Sequence, residues 1–388
     1  MKHSRAFLRT LIAACGIVCI ATASSHAVEE VVIGANMPLT GPFAASGTYV
    51  TDGARIAIDE INAGGGVLGG KQLRLIVEDN KSNPTEAASV TEKLIVRDQV
   101  PVILGAWGSS LTLAAMPKLM QYQVPMVVET SGANKITESG NPFIFRIAAT
   151  QVIEAAGFEK KLDQFNIKKV DFLAINNDWG LNTVNQFGKT LKEHSIEVGN
   201  IEMMDQAAQD MSAQLSKLKS SDADTLIVTT AVEQLTLVLK QAAALGIDKQ
   251  IITTGGSQNP DQLVAQAGSA AENTVHLVFF APWDPDSTAF PAKTRSFIEA
   301  WQAKGFDFAG LTESFRGYDG IRVIAAAIEK AGSTEPDAIR KALWDTKVDA
   351  LNGSISFDKA GPEGSASAQS KPNVYFARIA AGKIEVLK

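Results

Sequence analysis

Residues 102–137 read VILGAWGSSLTLAAMPKLMQYQVPMVVETSGANKIT. Two short apolar runs in this stretch end in turns made of glycine and hydroxyl residues, and each turn leads into a helical pattern. Strand–turn–helix units of this kind predict a parallel sheet whose strands are connected by helices. The two turns carry Gly108, Ser109 and Ser110, and Thr130, Ser131 and Gly132.

These turns are candidates for an anion site. The first turn of a helix presents free backbone N–H groups and the positive end of the helix dipole. The carboxyl ends of neighbouring parallel strands meet at one edge of a sheet, so the two turns can hold one small carboxylate between them. The alternative is that the serines and threonine are ordinary helix N-caps. The stretch alone leaves both interpretations open.

The same alternation of strands and helices continues along most of the chain. It runs from residue 31 to about residue 280 in two successive sets of about five strands, which predicts two parallel-sheet domains. After residue 280 the pattern is mostly helical and ends in three strand-like pieces. No low-complexity linker separates the halves, so we expect the chain to cross the hinge more than once.

The first 27 residues have a different character. Lys2, Arg5 and Arg9 precede an apolar run at 11–23, and residues 25–27 form a small-x-small site. This pattern predicts a secretory signal peptide cut after residue 27, and therefore an exported, periplasmic protein. The alternative is a lipoprotein processed at Cys15, but the apolar run continues well past that residue, which favours the uncut signal segment.

Composition excludes several kinds of partner and site. Removal of the signal segment leaves 33 basic and 42 acidic residues, a formal net charge of −9, which argues against nucleic acid and anionic membranes as partners. Both cysteines, Cys15 and Cys19, lie in the signal segment, and only His194 and His276 follow it. We therefore expect no disulfide, no zinc site and no cofactor.

Two glycine-rich segments resemble catalytic motifs without matching them. Residues 65–71 have phosphate-loop spacing, but Gln72 follows where Ser or Thr belongs. Residues 255–259 begin like a nucleophile elbow around Ser257 but lack its closing glycine. We therefore predict that the protein is not an enzyme. Trp107 and Trp179 each follow a predicted strand, where an indole either lines a pocket or packs at a loop base.

A set of motifs occurs in a defined order along the chain: Ile33-Gly34, Leu39-Thr40-Gly41-Pro42, Asp52-Gly53-Ala54, Ala57 through Glu60-Ile61-Asn62, the run 64–70, Gly105 with Ser109-Ser110, Phe145-Arg146 and Tyr318-Asp319-Gly320. Taken in this order, the motifs resemble the periplasmic binding proteins of the branched-chain amino-acid type, which are receptors of ATP-driven (ABC) importers. The resemblance covers nearly all of the chain after residue 27.

The resemblance implies an α/β protein with two doubly wound parallel-sheet lobes joined by a three-segment hinge, the type I fold of these proteins. Lobe 1 would comprise residues 28–147 and 280–349, and lobe 2 residues 148–279 and 350–388. The ligand would lie in the cleft between the lobes, and the lobes would close over it by hinge motion.

The resemblance also implies roles for single residues. Ser109 and the turn Thr130–Gly132 match the positions that hold the ligand carboxylate, with Ser46 near the mouth. Trp179 matches the aromatic residue that closes over the ligand from lobe 2. One position departs from the family: the stretch that contains Gly255 lacks the acid that pairs with the ligand ammonium.

A buried ammonium without a counter-charge is unfavourable, so this departure leaves two ligand hypotheses. The first is a small carboxylate without an ammonium, such as an aromatic or 2-oxo acid. The second is a branched-chain or related amino acid, with Glu313 as the substitute acid. We expect a monomer that delivers its ligand to the membrane permease of an ABC importer; a sensor subunit with the same lobes is the alternative.

Overall fold

The computed structural model describes residues 29–256 and 258–388. The predicted signal peptide, the alternative lipidation site at Cys15, and Ser257 lie outside the described residues. Among the described residues, no helix combines the length and the apolar character needed to cross a membrane.

Helices and strands alternate along the described chain, with short 3-10 turns at Gly268–Ala271, Pro285–Ser287 and Phe308–Gly310. The helices are α1 (Ala44–Ala63), α2 (Pro84–Val96), α3 (Ser109–Tyr122), α4 (Lys135–Glu138), α5 (Gln151–Glu159), α6 (Leu162–Phe165), α7 (Asp178–Glu193), α8 (Ser212–Ser220), α9 (Val232–Ala244), α10 (Pro260–Ala267), α11 (Pro291–Ala303), α12 (Leu311–Ala331) and α13 (Pro336–Trp344).

The strands up to residue 278 are β1 (Glu30–Met37), β2 (Gln72–Asp79), β3 (Ile103–Gly105), β4 (Met126–Val128), β5 (Ile144–Arg146), β6 (Lys169–Ile175), β7 (Glu197–Met204), β8 (Thr225–Thr229), β9 (Gln250–Thr253) and β10 (Val275–Val278). The later strands are β11 (Val348–Ala350), β12 (Gly353–Ile355), β13 (Asp358–Ala360), β14 (Ser367–Gln369), β15 (Tyr375–Ala380) and β16 (Lys383–Val386).

Local sequence explains where individual helices begin. At α2 the side chain of Asn83 accepts hydrogen bonds from the backbone N–H groups of Thr85 and Glu86, and Pro84 occupies the first helical position. A proline is favoured there because its missing N–H would have had no partner in the helix. The acidic Glu86 in the first turn complements the helix dipole.

Two seven-stranded sheets organise the described residues. The first has the order β13-β14-β5-β4-β3-β1-β2, and the second has the order β16-β15-β10-β9-β8-β6-β7. Strands β1 to β5 are mutually parallel, as are β6 to β10. The predicted class, α/β with two doubly wound parallel sheets, is confirmed. We call the first sheet with its helices lobe 1 and the second lobe 2.

The last crossing between the lobes differs from the prediction. We expected residues 350–388 in lobe 2, but β14 pairs with β5 of the first sheet, with Ala368 opposite Phe145 and Gln369 opposite Arg146. Only β15 and β16 join the second sheet. Periodicity identifies a short strand but not its partner, which here lies more than two hundred residues earlier in the chain.

Helix α12 packs closely against α1 in lobe 1. A Cβ on Gly53 of α1 would lie 1.9 Å from the carbonyl oxygen of Ser314, and one on Gly317 of α12 would lie 1.9 Å from that of Val50. Two glycines therefore allow the helix backbones to touch. This contact fixes the first turn of α12, which extends to the cleft between the lobes.

Candidate functional site

A cavity lies between the lobes and is lined by residues of both. Lobe 1 contributes the segments after β1, β2, β3 and β4, and lobe 2 contributes helix α5 and the segments after β6, β7 and β9. In both sheets the strand order reverses beside the first strand of the lobe. The loops diverge at that point, and parallel sheets place their ligand sites there.

The structure brings together most of the residues predicted for the site. Nine of them line the cavity: Trp107, Gly108, Ser109, Ser110, Thr130, Ser131, Gly132, Trp179 and Gly255. Two predicted residues do not line it. Ser46 is fully buried within α1, and Glu313 is buried in the first turn of α12.

The hydroxyl groups of the two lobe 1 turns bond to other parts of the site and do not cap their helices. Residue Gly108 occupies the N-cap position of α3, and neither α3 nor α4 has a side-chain cap hydrogen bond. The Ser109 hydroxyl accepts from the backbone N–H of Ala133 at 3.1 Å. A hydroxyl that accepts one hydrogen bond still has a proton to donate. Ser109 can therefore donate to a carboxylate in the cavity.

The second turn is held from behind by a buried arginine. Arg146 has no exposed surface, and its Nη1 donates to the carbonyl oxygens of Ser131 at 3.1 Å and Ala133 at 2.7 Å. Its Nη2 donates to the Thr137 hydroxyl and its Nε to the side chain of Gln369, both at 2.6 Å. These four bonds fix the direction of the turn that faces the cavity.

Lobe 2 places an acid in the cavity, at a position that the sequence analysis missed. Glu154 lies on α5, is 2 % exposed and lines the cavity. Its Oε2 accepts from the backbone N–H of Gly255 at 2.9 Å. Burial raises the pKa of Glu154 to about 8, although that hydrogen bond and the charges of Arg316 and Arg146 act in the opposite direction.

Glu313, the lobe 1 residue that we considered as the substitute acid, is buried outside the cavity. Glu313 lies behind the cavity wall, where its Oε2 accepts from Trp107 Nε1 at 3.4 Å and pairs with Arg316 Nε at 3.1 Å. Glu313 therefore does not line the cavity in this structure, whereas Glu154 does. The physical reason is the direction of the first turn of α12, which points this side chain at Trp107 and Arg316.

Trp179 forms part of the lobe 2 wall and depends on a glycine beneath it. A Cβ on Gly255 would lie 2.1 Å from the Trp179 ring, and Gly255 has a φ of +88°, which side chains disfavour. The absence of an acidic side chain at this turn thus makes room for the indole. The acid of this lobe comes instead from α5, beside the same turn.

Direct contacts join the lobes at the exposed side of the cavity. The Ser110 hydroxyl donates to Asp178 Oδ2 at 2.7 Å and accepts from the Asp178 backbone N–H at 3.3 Å. The backbone N–H of Asn134 donates to Asn182 Oδ1 at 2.9 Å. Both contacts link lobe 1 to helix α7 of lobe 2, so the structure represents a state in which the lobes meet across the cavity.

Sequence reasoning missed seven residues that line the cavity: Phe43, Ser82, Pro84, Leu111, Glu154, Asn177 and Gln206. Among these seven residues, only Glu154 could have been identified as a site residue from the sequence pattern. It falls at helical spacing with Gln151, Ala155 and Phe158, all of them buried, and an acid on the buried face of a helix indicates a special role. The others are brought to the cavity by the meeting of loops that are distant in sequence.

A family model described as "Periplasmic binding protein" matches residues 30–383. Among curated proteins, the chain is similar to the "Leucine-, isoleucine-, valine-, threonine-, and alanine-binding protein" of Pseudomonas aeruginosa. The two are 28 % identical over 362 residues, which cover 93 % of this chain and 94 % of the relative.

Two solved structures are also similar. One is the branched-chain amino acid transporter substrate binding protein LivJ from Streptococcus pneumoniae in complex with isoleucine, with 27 % identity, a TM-score of 0.80, and coverage of 93 % of this chain and 100 % of that one. The other is a solute binding protein of an ABC transporter from R. palustris in complex with 4-hydroxybenzoate, with 24 % identity, a TM-score of 0.78, and coverage of 93 % and 96 %. At that identity the second shows the fold alone.

Proposed function

We propose, from the premise that the chain belongs to the periplasmic binding protein family, that it is the receptor of an ABC importer for an apolar α-amino acid. The family predicted from the sequence is confirmed. The chain is accordingly a solute-binding receptor and not an enzyme. The proposal concerns the identity of the ligand and the role with an importer. It also includes export by the signal segment, delivery to the permease rather than sensing, and a monomeric state.

A single observation carries the choice of ligand: a buried acid shares the cavity with the hydroxyl-bearing turns. Ser109 and the turn Thr130–Gly132 offer donors for the carboxylate of an amino acid, and Glu154 offers a counter-charge for its ammonium. The hypothesis of a ligand without an ammonium was based on the missing acid at Gly255. Helix α5 supplies that acid, so the amino acid becomes the better candidate.

The apolar part of the cavity suits a hydrocarbon side chain. Phe43, Trp107, Leu111 and Trp179 line it, and such walls favour aliphatic groups over polar ones. The Pseudomonas aeruginosa relative is named for leucine, isoleucine, valine, threonine and alanine, and the Streptococcus pneumoniae structure is a complex with isoleucine. We therefore expect leucine, isoleucine or valine to be preferred over polar amino acids.

A second candidate is an aromatic acid without an ammonium. Because the pKa of Glu154 is raised to about 8, its carboxyl is mostly protonated at neutral pH and can donate a hydrogen bond to a hydroxyl or keto oxygen. Titration calorimetry with leucine, isoleucine, phenylpyruvate and 4-hydroxybenzoate decides between the candidates. Tight binding of either acid with no binding of amino acids would replace our proposal by the second one.

The pH dependence of leucine binding provides an independent test. Glu154 must lose its proton to pair with an ammonium, and its raised pKa means that this loss is unfavourable below pH 8. The dissociation constant should therefore rise about fivefold from pH 8 to pH 7 and about 50-fold from pH 8 to pH 6, as the ionised fraction of a carboxyl with a pKa of about 8 falls. Calorimetry at pH 6, 7 and 8 measures this slope. A constant affinity across that range would contradict the pairing.

The role of Ser109 can be tested by Ser109→Ala. Loss of a hydrogen bond to a charged carboxylate should weaken leucine binding by about 1–3 kcal/mol, or roughly 5- to 150-fold in Kd. Ser89→Ala is the matched control, because Ser89 lies on the exposed surface of α2 and donates only to the carbonyl oxygen of Thr85. Equal affinities of the two variants in calorimetry would remove Ser109 from the site.

A further inference from the structure

The turn Gly255–Gly256 of lobe 2 lies between two buried charged side chains. Within its own lobe, the Gly255 N–H donates to Glu154 Oε2 at 2.9 Å. From lobe 1, Arg316 Nη2 donates to the Gly256 carbonyl oxygen at 3.0 Å. Trp179 packs directly over Gly255. The position of this part of the cavity wall therefore depends on a hydrogen bond that crosses between the lobes.

Arg316 is held by both lobes. It is 1 % exposed, and its Nε lies 3.1 Å from Glu313 Oε2 on the same turn of α12. Its guanidinium lies 5.2 Å from the ring centre of Phe279, which follows β10 where the chain leaves lobe 2, and 5.3 Å from that of Phe315. A buried guanidinium is strongly destabilising without partners, so separation of the lobes must disturb it.

The same arginine connects the two tryptophans of the cavity walls. Trp107, in lobe 1, donates to Glu313 at 3.4 Å, and Glu313 pairs with Arg316. Arg316 in turn bonds to the turn on which Trp179 of lobe 2 packs. One continuous set of contacts thus connects the two indoles behind the cavity. It passes through Arg316, which belongs to lobe 1 and bonds to lobe 2.

We propose that Arg316 is a positioning residue that holds the two lobes together and fixes the spacing of the Trp107 and Trp179 walls when the cleft is closed. We call its contacts with Glu313 of lobe 1 and Gly256 of lobe 2 the clasp. Arg316 does not line the cavity, so it acts on the ligand through these walls and through its charge, which favours the ionised form of Glu154. Its expected effect is on ligand release, because a broken clasp lets the closed state reopen faster. The choice of leucine as the probe rests on the proposed function.

The direct test is the rate of leucine release from Arg316→Met, measured by stopped-flow tryptophan fluorescence. We expect dissociation to accelerate by about tenfold or more, with an association rate that changes far less, since interface changes act mainly on dissociation. Arg322→Met is the matched control. Arg322 lies on the same helix, pairs with Glu60 and stacks on Tyr318, but both partners belong to lobe 1. Its release rate should equal that of the wild type.

Arg316→Met leaves Glu313 buried without its arginine, which can impair folding. The double variant Arg316→Met/Glu313→Gln removes both charges and keeps the test informative. We expect it to fold with a thermal midpoint near that of the wild type and to release leucine as fast as the single variant. A release rate equal to that of Arg322→Met, in a folded double variant, would overturn the clasp.

Spin labels separate a failure of the clasp from a failure of the proposed ligand. Met120 in α3 and Leu181 in α7 are exposed and lie in different lobes, so M120C/L181C with Cys15 and Cys19 changed to serine gives one labelled pair.

Distances between the two labels are measured with and without leucine. Arg316→Met should shift them to longer values and Arg322→Met should not. If this shift occurs while the wild type binds no leucine, the clasp stands and the ligand proposal fails; if the two variants show equal distances, the clasp fails.

Discussion

Glu154→Gln is expected to weaken leucine binding by about 2–5 kcal/mol, at least about thirtyfold in Kd, because the ligand ammonium loses its buried counter-charge. Glutamine preserves the size of the side chain and an oxygen that can accept from the Gly255 N–H. The loss is therefore electrostatic rather than a collapse of the turn. Titration calorimetry at pH 8, where about half of the wild-type carboxyl is ionised, measures it.

Two controls sharpen this test. Glu159→Gln removes an exposed acid of the same helix, whose partner is His194, and should leave the affinity unchanged. In Glu154→Gln the dependence of leucine affinity on pH between 6 and 8 should also become weaker, since Glu154 no longer titrates; Glu129, whose pKa is raised to about 7 by burial and which accepts from the Thr130 hydroxyl, still does. A Glu154→Gln protein that binds leucine as tightly as Glu159→Gln would rule out Glu154 as the ammonium partner.

Arg146→Met should lower the free energy of unfolding by about 3–5 kcal/mol, since it removes a buried charge with partners on several elements. The variant leaves the carbonyl oxygen of Ser131 without the Arg146 donor and that of Ala133 with the Ile136 N–H alone. Unsatisfied buried acceptors are unfavourable, so the turn must shift to reach water. We therefore expect weaker leucine binding as well, because this turn forms half of the proposed carboxylate site.

Urea denaturation measures the stability change, and calorimetry on the folded variant measures the binding change. Arg55→Met is the control, because Arg55 lies on the surface of α1 and pairs only with Asp52 one turn away. Exposed pairs of this kind contribute about 0–1 kcal/mol. Equal unfolding midpoints for the two variants would show that Arg146 does not support the turn.

The two sheets and the lobe 1 half of the site were predictable because their signals are local. Each βα unit carries its apolar strand, its glycine turn and its helix within about thirty residues, the length of a βαβ repeat. Ser109 and Thr130–Gly132 lie at the ends of such strands, so the topology of a parallel sheet alone brings them to one edge. Trp179 follows β6 by the same rule.

The lobe 2 half of the site was only partly predictable, as the two acids illustrate. Glu313 and Glu154 both occur on helices near the hinge, and sequence spacing places both on buried faces. Which of them reaches the cavity depends on how each helix is rotated in the packed structure. Helix α12 is fixed by its glycine contact with α1, and that contact turns Glu313 toward Trp107 and Arg316.

The sequence by itself therefore determined the two-lobed α/β fold, the family and the two turns of lobe 1 that line the cavity. Tertiary structure alone decided that β14 returns to the first sheet and that Glu154 provides the acid of the cavity. It also placed Arg316 across the two lobes. The physical reason is the range of the interactions: strand, turn and helix patterns are set by neighbours along the chain. The pairing of β14 with β5 and the charges behind the cavity depend on packing between segments far apart in sequence.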